Sequence, residues 1–189
     1  MWVYRIIVLA ESILGTVNGM ADVKDKHPAA WIAFILGILI TFLLWSLYFD
    51  MTSEQETKRG YHYMQWFIFL HFPVLAGLGI VGACLRILLA EIENNSSAGI
   101  YWIFCVAIAT ILFMIVAITF VMKEAEEDRS YIKPVSRLLV ISGLLILVVP
   151  LFAIYLETIA FLSVIAIILF LPVFIGTRSW VGYKFFGKR

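Results

Sequence analysis

The chain has 189 residues, is 63% hydrophobic, carries a formal net charge of +1 and has a mean hydropathy of +1.00. Soluble domains do not have this composition, so the chain is a polytopic membrane protein with nearly all of its length in spans. The near-neutral charge argues against a nucleic-acid partner, because it provides no basic patch with interleaved aromatic residues. The expected partner is the lipid bilayer.

Six apolar runs are long enough to cross a bilayer core of about 30 Å, which takes roughly 20 helical residues. In chain order they cover residues 2–19, 28–50, 63–90, 100–122, 135–155 and 158–177. The expected fold is therefore all-α, with a six-helix transmembrane domain over residues 1–177. Glu157 marks a tight hairpin between the last two spans, and residues 178–189 form a basic and aromatic tail.

The distribution of Lys and Arg predicts the orientation of the spans. Three basic residues, Lys24, Lys26 and Arg86, fall on one side. The opposite side, which holds both termini, has eleven: Arg5, Lys58, Arg59, Lys123, Arg129, Lys133, Arg137, Arg178, Lys184, Lys188 and Arg189. Basic residues concentrate in cytoplasmic loops, so both termini are expected in the cytoplasm.

Glu11 and His71 are the candidate proton- or cation-binding residues. A carboxylate nine residues into the first span is costly to keep at that depth and indicates a functional site by default. Counted at about 1.5 Å per residue, Glu11 and His71 lie at similar distances from the cytoplasmic ends of their spans, near the midplane. In contact they could share a proton, since histidine titrates near physiological pH. The alternative is that His71 bonds a backbone carbonyl and Glu11 only satisfies a contact between helices.

Four residues are expected to support this pair: Arg5, Ser12, Asp50 and Pro73. Arg5 and Asp50 lie near the same interface, where an ion pair would clamp the first two spans, although Asp50 fits a simple helix-end charge equally well. Pro73 has no N–H and clashes with the carbonyl four residues earlier, which predicts a kink beside His71. Freed backbone groups at membrane depth are tolerated where they line a wet cavity.

The chain offers no motif for familiar enzyme chemistry: GxSxG, Walker and HExxH patterns are absent from the sequence, and the GxGxxG spacing of residues 77–82 lies inside an apolar span rather than between a strand and a helix. Its three histidines, His27, His62 and His71, fall at different depths and cannot easily converge on one metal. No enzymatic activity, cofactor or metal is therefore expected. Cys84 and Cys105 are expected to be buried, inert thiols.

Three segments resemble the bacterial low temperature requirement A family. Residues 6–14, IIVLAESIL, are similar to its IIVLGES motif, with Ala10 where that family usually has Gly. Residues 45–50, WSLYFD, are similar to its WWLYFD element, with Ser46 replacing a Trp. Residues 69–78, FLHFPVLAGL, are similar to its YLHLPLVLGI element. The resemblance covers residues 2–90 and corresponds to the C-terminal half of longer members. The rest of the chain adds compatible hydropathy.

This resemblance implies that Glu11, Asp50, His71 and Pro73 occupy family motif positions, in the inner (plasma) membrane of a bacterium. The family name indicates growth in the cold rather than a reaction. Two hypotheses follow: a transporter or channel of unspecified substrate that uses Glu11, or a non-transporting scaffold or stress-response protein that acts through oligomerisation or lipid contact. A homodimer is expected, because two copies would correspond to one longer member and the Gly15/Gly19 GxxxG pair provides a packing face.

Overall fold

The chain is an all-α bundle in the computed structural model. The structure describes residues 10, 13–21, 23, 27–52, 58, 60–92, 98–122 and 129–186, and only the backbone of 129–132, 153–155 and 178–186. Its helices are α1 (13–21), α2 (Pro28–Thr52), α3 (Tyr61–Ala90), α4 (Ala98–Val121), α5 (Arg129–Val148) and α6 (Thr158–Phe186), with a 3₁₀ segment at Val149–Tyr155.

Five of the described helical segments are long and apolar enough to cross a membrane: Pro28–Thr52, Tyr61–Ala90, Ala98–Val121, Lys133–Phe152 and Thr158–Thr177. They confirm a polytopic all-α membrane protein and five of the six predicted spans. The described part of α1 has nine residues, about 13 Å of helix, which is shorter than a bilayer core. The sixth span and the cytoplasmic location of the termini stay predictions.

Both ends of α5 and the end of α6 differ from the sequence prediction. α5 begins at Arg129, so Pro134 lies inside it rather than before it. Pro134 is still close to the helix start and removes only one hydrogen bond, to the carbonyl of Ser130. At the other end, Pro150 disfavours α-helical geometry at Val149, and the run continues as 3₁₀ helix to Tyr155. The backbone of α6 continues through the predicted tail to Phe186.

α4 lies at the centre of the bundle and is the most deeply buried of the five spans. It packs against α3, α5 and the 3₁₀ segment and also reaches α2, while α6 packs against α2 and α5. α1 lies between α2 and α3: a side chain at Gly37 of α2 would meet the Thr16 methyl group, and one at Gly15 would meet the backbone of Gly82 in α3. α2 and α3 therefore touch each other directly over only a short length.

Polar contacts fix both ends of α4. At its C-terminus, Lys58 from the α2–α3 connection donates from Nζ to the Phe120 carbonyl at 2.7 Å and from its backbone N–H to the Val121 carbonyl at 3.2 Å. These bonds satisfy carbonyls that a helix end leaves without an intrahelical donor. At its N-terminus, the hydroxyl groups of Tyr101 and Thr158 are 3.1 Å apart, which joins α4 to the start of α6. The described connections thus alternate between the two ends of the bundle.

Candidate functional site

The predicted site residues fall into two groups. Arg5, Glu11 and Ser12 lie outside the described residues, so the structure does not test their predicted roles. His71 and Pro73 lie in α3, and Asp50 lies in the last turn of α2. Glu157, predicted at a hairpin turn, is exposed between the 3₁₀ segment and α6. Cys84 and Cys105 are free, buried thiols, as predicted.

His71 is held by its own helix. Its Nδ1 is 2.6 Å from the carbonyl oxygen of Phe67, one helical turn earlier. A carbonyl can only accept a hydrogen bond, so Nδ1 must carry the hydrogen, and the neutral ring then has its lone pair on Nε2. Nε2 is buried within the protein. A further proton on His71 would therefore be bound at Nε2. Nδ1 therefore makes the bond to a backbone carbonyl that the sequence analysis gave as the alternative for His71.

Two aromatic rings surround the imidazole. The Tyr48 ring of α2 is T-shaped to it at a centroid distance of 5.7 Å, and the Phe67 ring lies tilted at 4.3 Å. Both aromatic side chains are buried. T-shaped and tilted contacts of this kind stabilise aromatic packing, so the two rings hold the imidazole in place. Tyr48 and His71 belong to two separate segments of the family resemblance, and the fold brings these two segments together.

Asp50 does not join this contact. It follows Tyr48 by two residues, which turns it roughly 200° around the helix, and its side chain is exposed. The neighbouring rings of Trp45 and Phe49 stack at 5.3 Å along α2. The helix-end interpretation of Asp50 fits this position, while its predicted ion pair with Arg5 lies outside the described residues.

Gly15 and Gly19 of α1 pack against α3 of the same chain. A Cβ atom at Gly15 would lie 2.6 Å from the Gly82 carbonyl oxygen, and one at Gly19 would lie 2.8 Å from the Cα of Arg86. Gly19 follows Gly15 by four residues, and Arg86 follows Gly82 by four residues in the same direction. α1 and α3 therefore run parallel in close backbone contact. This face packs against α3 of the same chain, so it does not support the predicted homodimer, which stays a prediction.

The comparisons with known proteins agree with the motif resemblance. The sequence model of the bacterial low temperature requirement A protein (LtrA) family matches residues 4–173. The chain belongs to this family. Since the match continues through α5 and into α6, LtrA character extends well beyond residues 2–90. Comparison with curated proteins and with solved structures finds no match.

Pro73 has a different neighbourhood in this LtrA-family protein from the one predicted. α3 continues through it as a helix, and its ring lines an apolar groove between α3 and α4. The sequence also did not identify two neighbours of His71. The sequence placed Tyr48 in the WSLYFD segment without indicating a contact with His71. For Phe67, the only signal was its spacing of four residues from His71, one helical turn.

Proposed function

We propose that this LtrA-family protein is a proton- or cation-coupled membrane transporter of the bacterial inner membrane, in which Glu11 and His71 bind and release the coupling ion. The observation that carries the proposal is the setting of His71. Its Nδ1–H donates to the Phe67 carbonyl, a further proton would be bound at the buried Nε2, and two aromatic rings pack against the imidazole. Ionisable residues inside membrane spans are rare and commonly belong to ion pathways.

The proposal treats the two residues as separate stations on one pathway. Glu11 lies outside the described residues, so its place on the pathway is the one predicted from the sequence. Proton transfer between Glu11 and His71 through water or hydroxyl groups is part of the proposal.

The test is flux in vesicles that contain the purified protein and a pH-sensitive dye. Glu11→Gln and His71→Gln remove the titrating group at similar size, and the Gln amide retains a donor for the Phe67 carbonyl. Each is expected to reduce proton- or cation-driven flux to that of empty vesicles. His62→Gln is the matched control, because His62 is an exposed residue in the first turn of the same helix. It should keep the flux of the unaltered protein.

Folding is checked separately, through the elution volume in detergent and the midpoint of thermal unfolding. Variants that fold normally and transport like the unaltered protein would contradict the proposal. Equal loss of flux in His62→Gln would contradict the assignment to His71. Exchange of Na⁺, K⁺ and H⁺ gradients across the vesicles would identify the coupling ion.

The second candidate function is a non-transporting scaffold or stress-response protein. The observation that favours it is the same Nδ1 bond, since donation to the Phe67 carbonyl already provides a packing role for His71. Absence of flux from the unaltered protein, combined with restored growth in the cold by the Glu11→Gln variant in a deletion strain, would support this candidate. A homodimer in either case would need a face other than Gly15 and Gly19.

A further inference from the structure

We propose that the groove between α3 and α4 binds one acyl chain of a membrane lipid. The groove has a volume of about 410 Å³. It is open on the outer surface of the bundle and lies between two segments that can span the membrane. Nine residues line it: Pro73, Ala76, Gly77, Ile80, Trp102, Ile103, Val106, Ala107 and Thr110. This inference is independent of the proposed transport function.

Small residues between large ones create the groove. Ala76, Gly77 and Ala107 provide little side-chain volume along its floor, while Ile80 and Trp102 stand beside it and are partly exposed. The floor cannot close further, because even a Cβ atom at Gly77 would lie 2.7 Å from the Ile111 side chain. α3 and α4 therefore meet closely beneath the groove and leave a slot above.

The chemistry of the lining suits a hydrocarbon. Apart from the Trp102 indole, Thr110 carries the one polar side chain among the nine, and its hydroxyl donates to the Val106 carbonyl at 2.8 Å. An occupant of the deeper part of the groove consequently needs no hydrogen-bonding group there. Lipid tails have this property, and they surround the spans in the bilayer.

The direction of the groove matches a lipid chain. Trp102 lies in the second turn of α4, and Thr110 is near the middle of that helix, eight residues or about 12 Å further on. Tryptophan concentrates at the membrane interface, where its ring sits at the headgroup level. The groove therefore runs from the interface at which α4 begins towards the bilayer centre, as an acyl chain of that leaflet does.

The dimensions favour a lipid over a second copy of the chain. A helix with its side chains is about 10–12 Å across, and a stable protein interface uses about 20–30 residues on each side. Nine residues line this groove, over about 10 Å of α3 from Pro73 to Ile80. A single unbranched chain fills such a slot, whereas a neighbouring helix would rest on its rims.

The experiment uses vesicles that contain a phospholipid with a photoactivatable diazirine in one acyl chain. Mass spectrometry of the irradiated protein maps the labelled residues. Labelling is expected to concentrate on the groove residues of α3 and α4. Ala76→Phe on α3 and Val106→Phe on α4 each place a large ring in the groove and should each reduce this labelling several-fold. Ala83→Phe is the matched control on an exposed position of α3 outside the groove, and it should leave the labelling unchanged.

The two filling variants lie on different helices, and cooperative thermal unfolding shows which of them folds. One filling variant that folds is sufficient for the test. Labelling spread evenly over all exposed positions of α3 and α4 would overturn the proposal. Undiminished groove labelling in a folded filling variant would also overturn it. With a diazirine-bearing amino acid placed at Ile103 instead, crosslinks to a second protein copy in place of lipid adducts would assign the groove to a second copy.

Discussion

Gly15→Ala is expected to destabilise the fold, because the methyl group has no space at the contact between α1 and α3. The new Cβ would lie 2.6 Å from the Gly82 carbonyl oxygen, 2.8 Å from its carbonyl carbon and 3.0 Å from its Cα. All three atoms belong to the backbone, so no side-chain rotation can relieve the clash. The helices must separate by about 0.8 Å to bring the shortest distance from 2.6 Å to 3.4 Å, where ordinary van der Waals contact begins.

Overpacking of this kind costs about 1–3 kcal/mol in free energy of unfolding. Alanine is also a better helix former than glycine, by about 0.5–1 kcal/mol, which offsets part of the cost. Gly79→Ala provides the matched control, since a Cβ atom at Gly79 meets nothing within 4 Å. Both sites are helical, so the propensity gain is common to the two variants. Their difference of about 1–3 kcal/mol isolates the packing cost, and 2 kcal/mol corresponds to roughly 30-fold in the unfolding equilibrium.

Cys84 and Cys105 provide the assay. Both are free and buried, so a thiol-reactive fluorescent maleimide should label them only when the bundle opens. Equilibrium unfolding in mixed detergent micelles would give the free energy for the unaltered protein, Gly15→Ala and Gly79→Ala. Gly77→Ala should fall between the two variants, because the obstacle at 2.7 Å is the movable Ile111 side chain rather than backbone. Equal free energies for Gly15→Ala and Gly79→Ala would refute the close contact between α1 and α3.

Three further predictions concern the ends of the bundle and its assembly. Tyr101→Phe should lower the free energy of unfolding by about 1 kcal/mol through loss of the buried bond to Thr158, and by much less in a Thr158→Val background. Cysteine probes at Asn95 and Glu126, in a chain without its native thiols, should react with an impermeant reagent from outside only at Asn95. The reverse pattern would invert the orientation. In lipid nanodiscs, Gly15→Ala should not change the oligomeric state, since its contact is within one chain, and a selective loss of dimers would contradict that assignment.

The spans could be predicted from the sequence because bilayer thickness and hydropathy together determine their lengths. The last span was expected at residues 158–177, and the structure has it at Thr158–Thr177. Proline was harder to interpret. Pro73 lies inside its helix as expected, whereas Pro134 lies inside a helix that was expected to begin after it, and Pro150 coincides with a change to 3₁₀ geometry. Sequence identifies the hydrogen bond that a proline removes, but whether the helix continues depends on the packing around it.

The surroundings of His71 could be predicted only in part. Counting residues along a span gives depth in the membrane, and depth was enough to select His71, whose side chain is partly buried. The contact with Tyr48 also depends on the rotation of α2 and α3 about their axes, which a nearly uniform apolar sequence does not specify. Neither helix has a polar face that would indicate which side is turned inward, since hydrophobic residues point towards lipid and protein alike.

Glycine shows most clearly what sequence leaves undetermined in this family member. Gly15 meets backbone, Gly77 meets the Ile111 side chain, and Gly79 meets nothing. A small residue only permits close approach, and the helix that makes use of it is selected by the packing of the whole bundle. At Gly15 the permitted space is filled by α3 of the same chain. At Ala76, above the contact of Gly77 with α4, none of the described helices enters the space, and the small side chains leave the groove in which we propose a lipid chain.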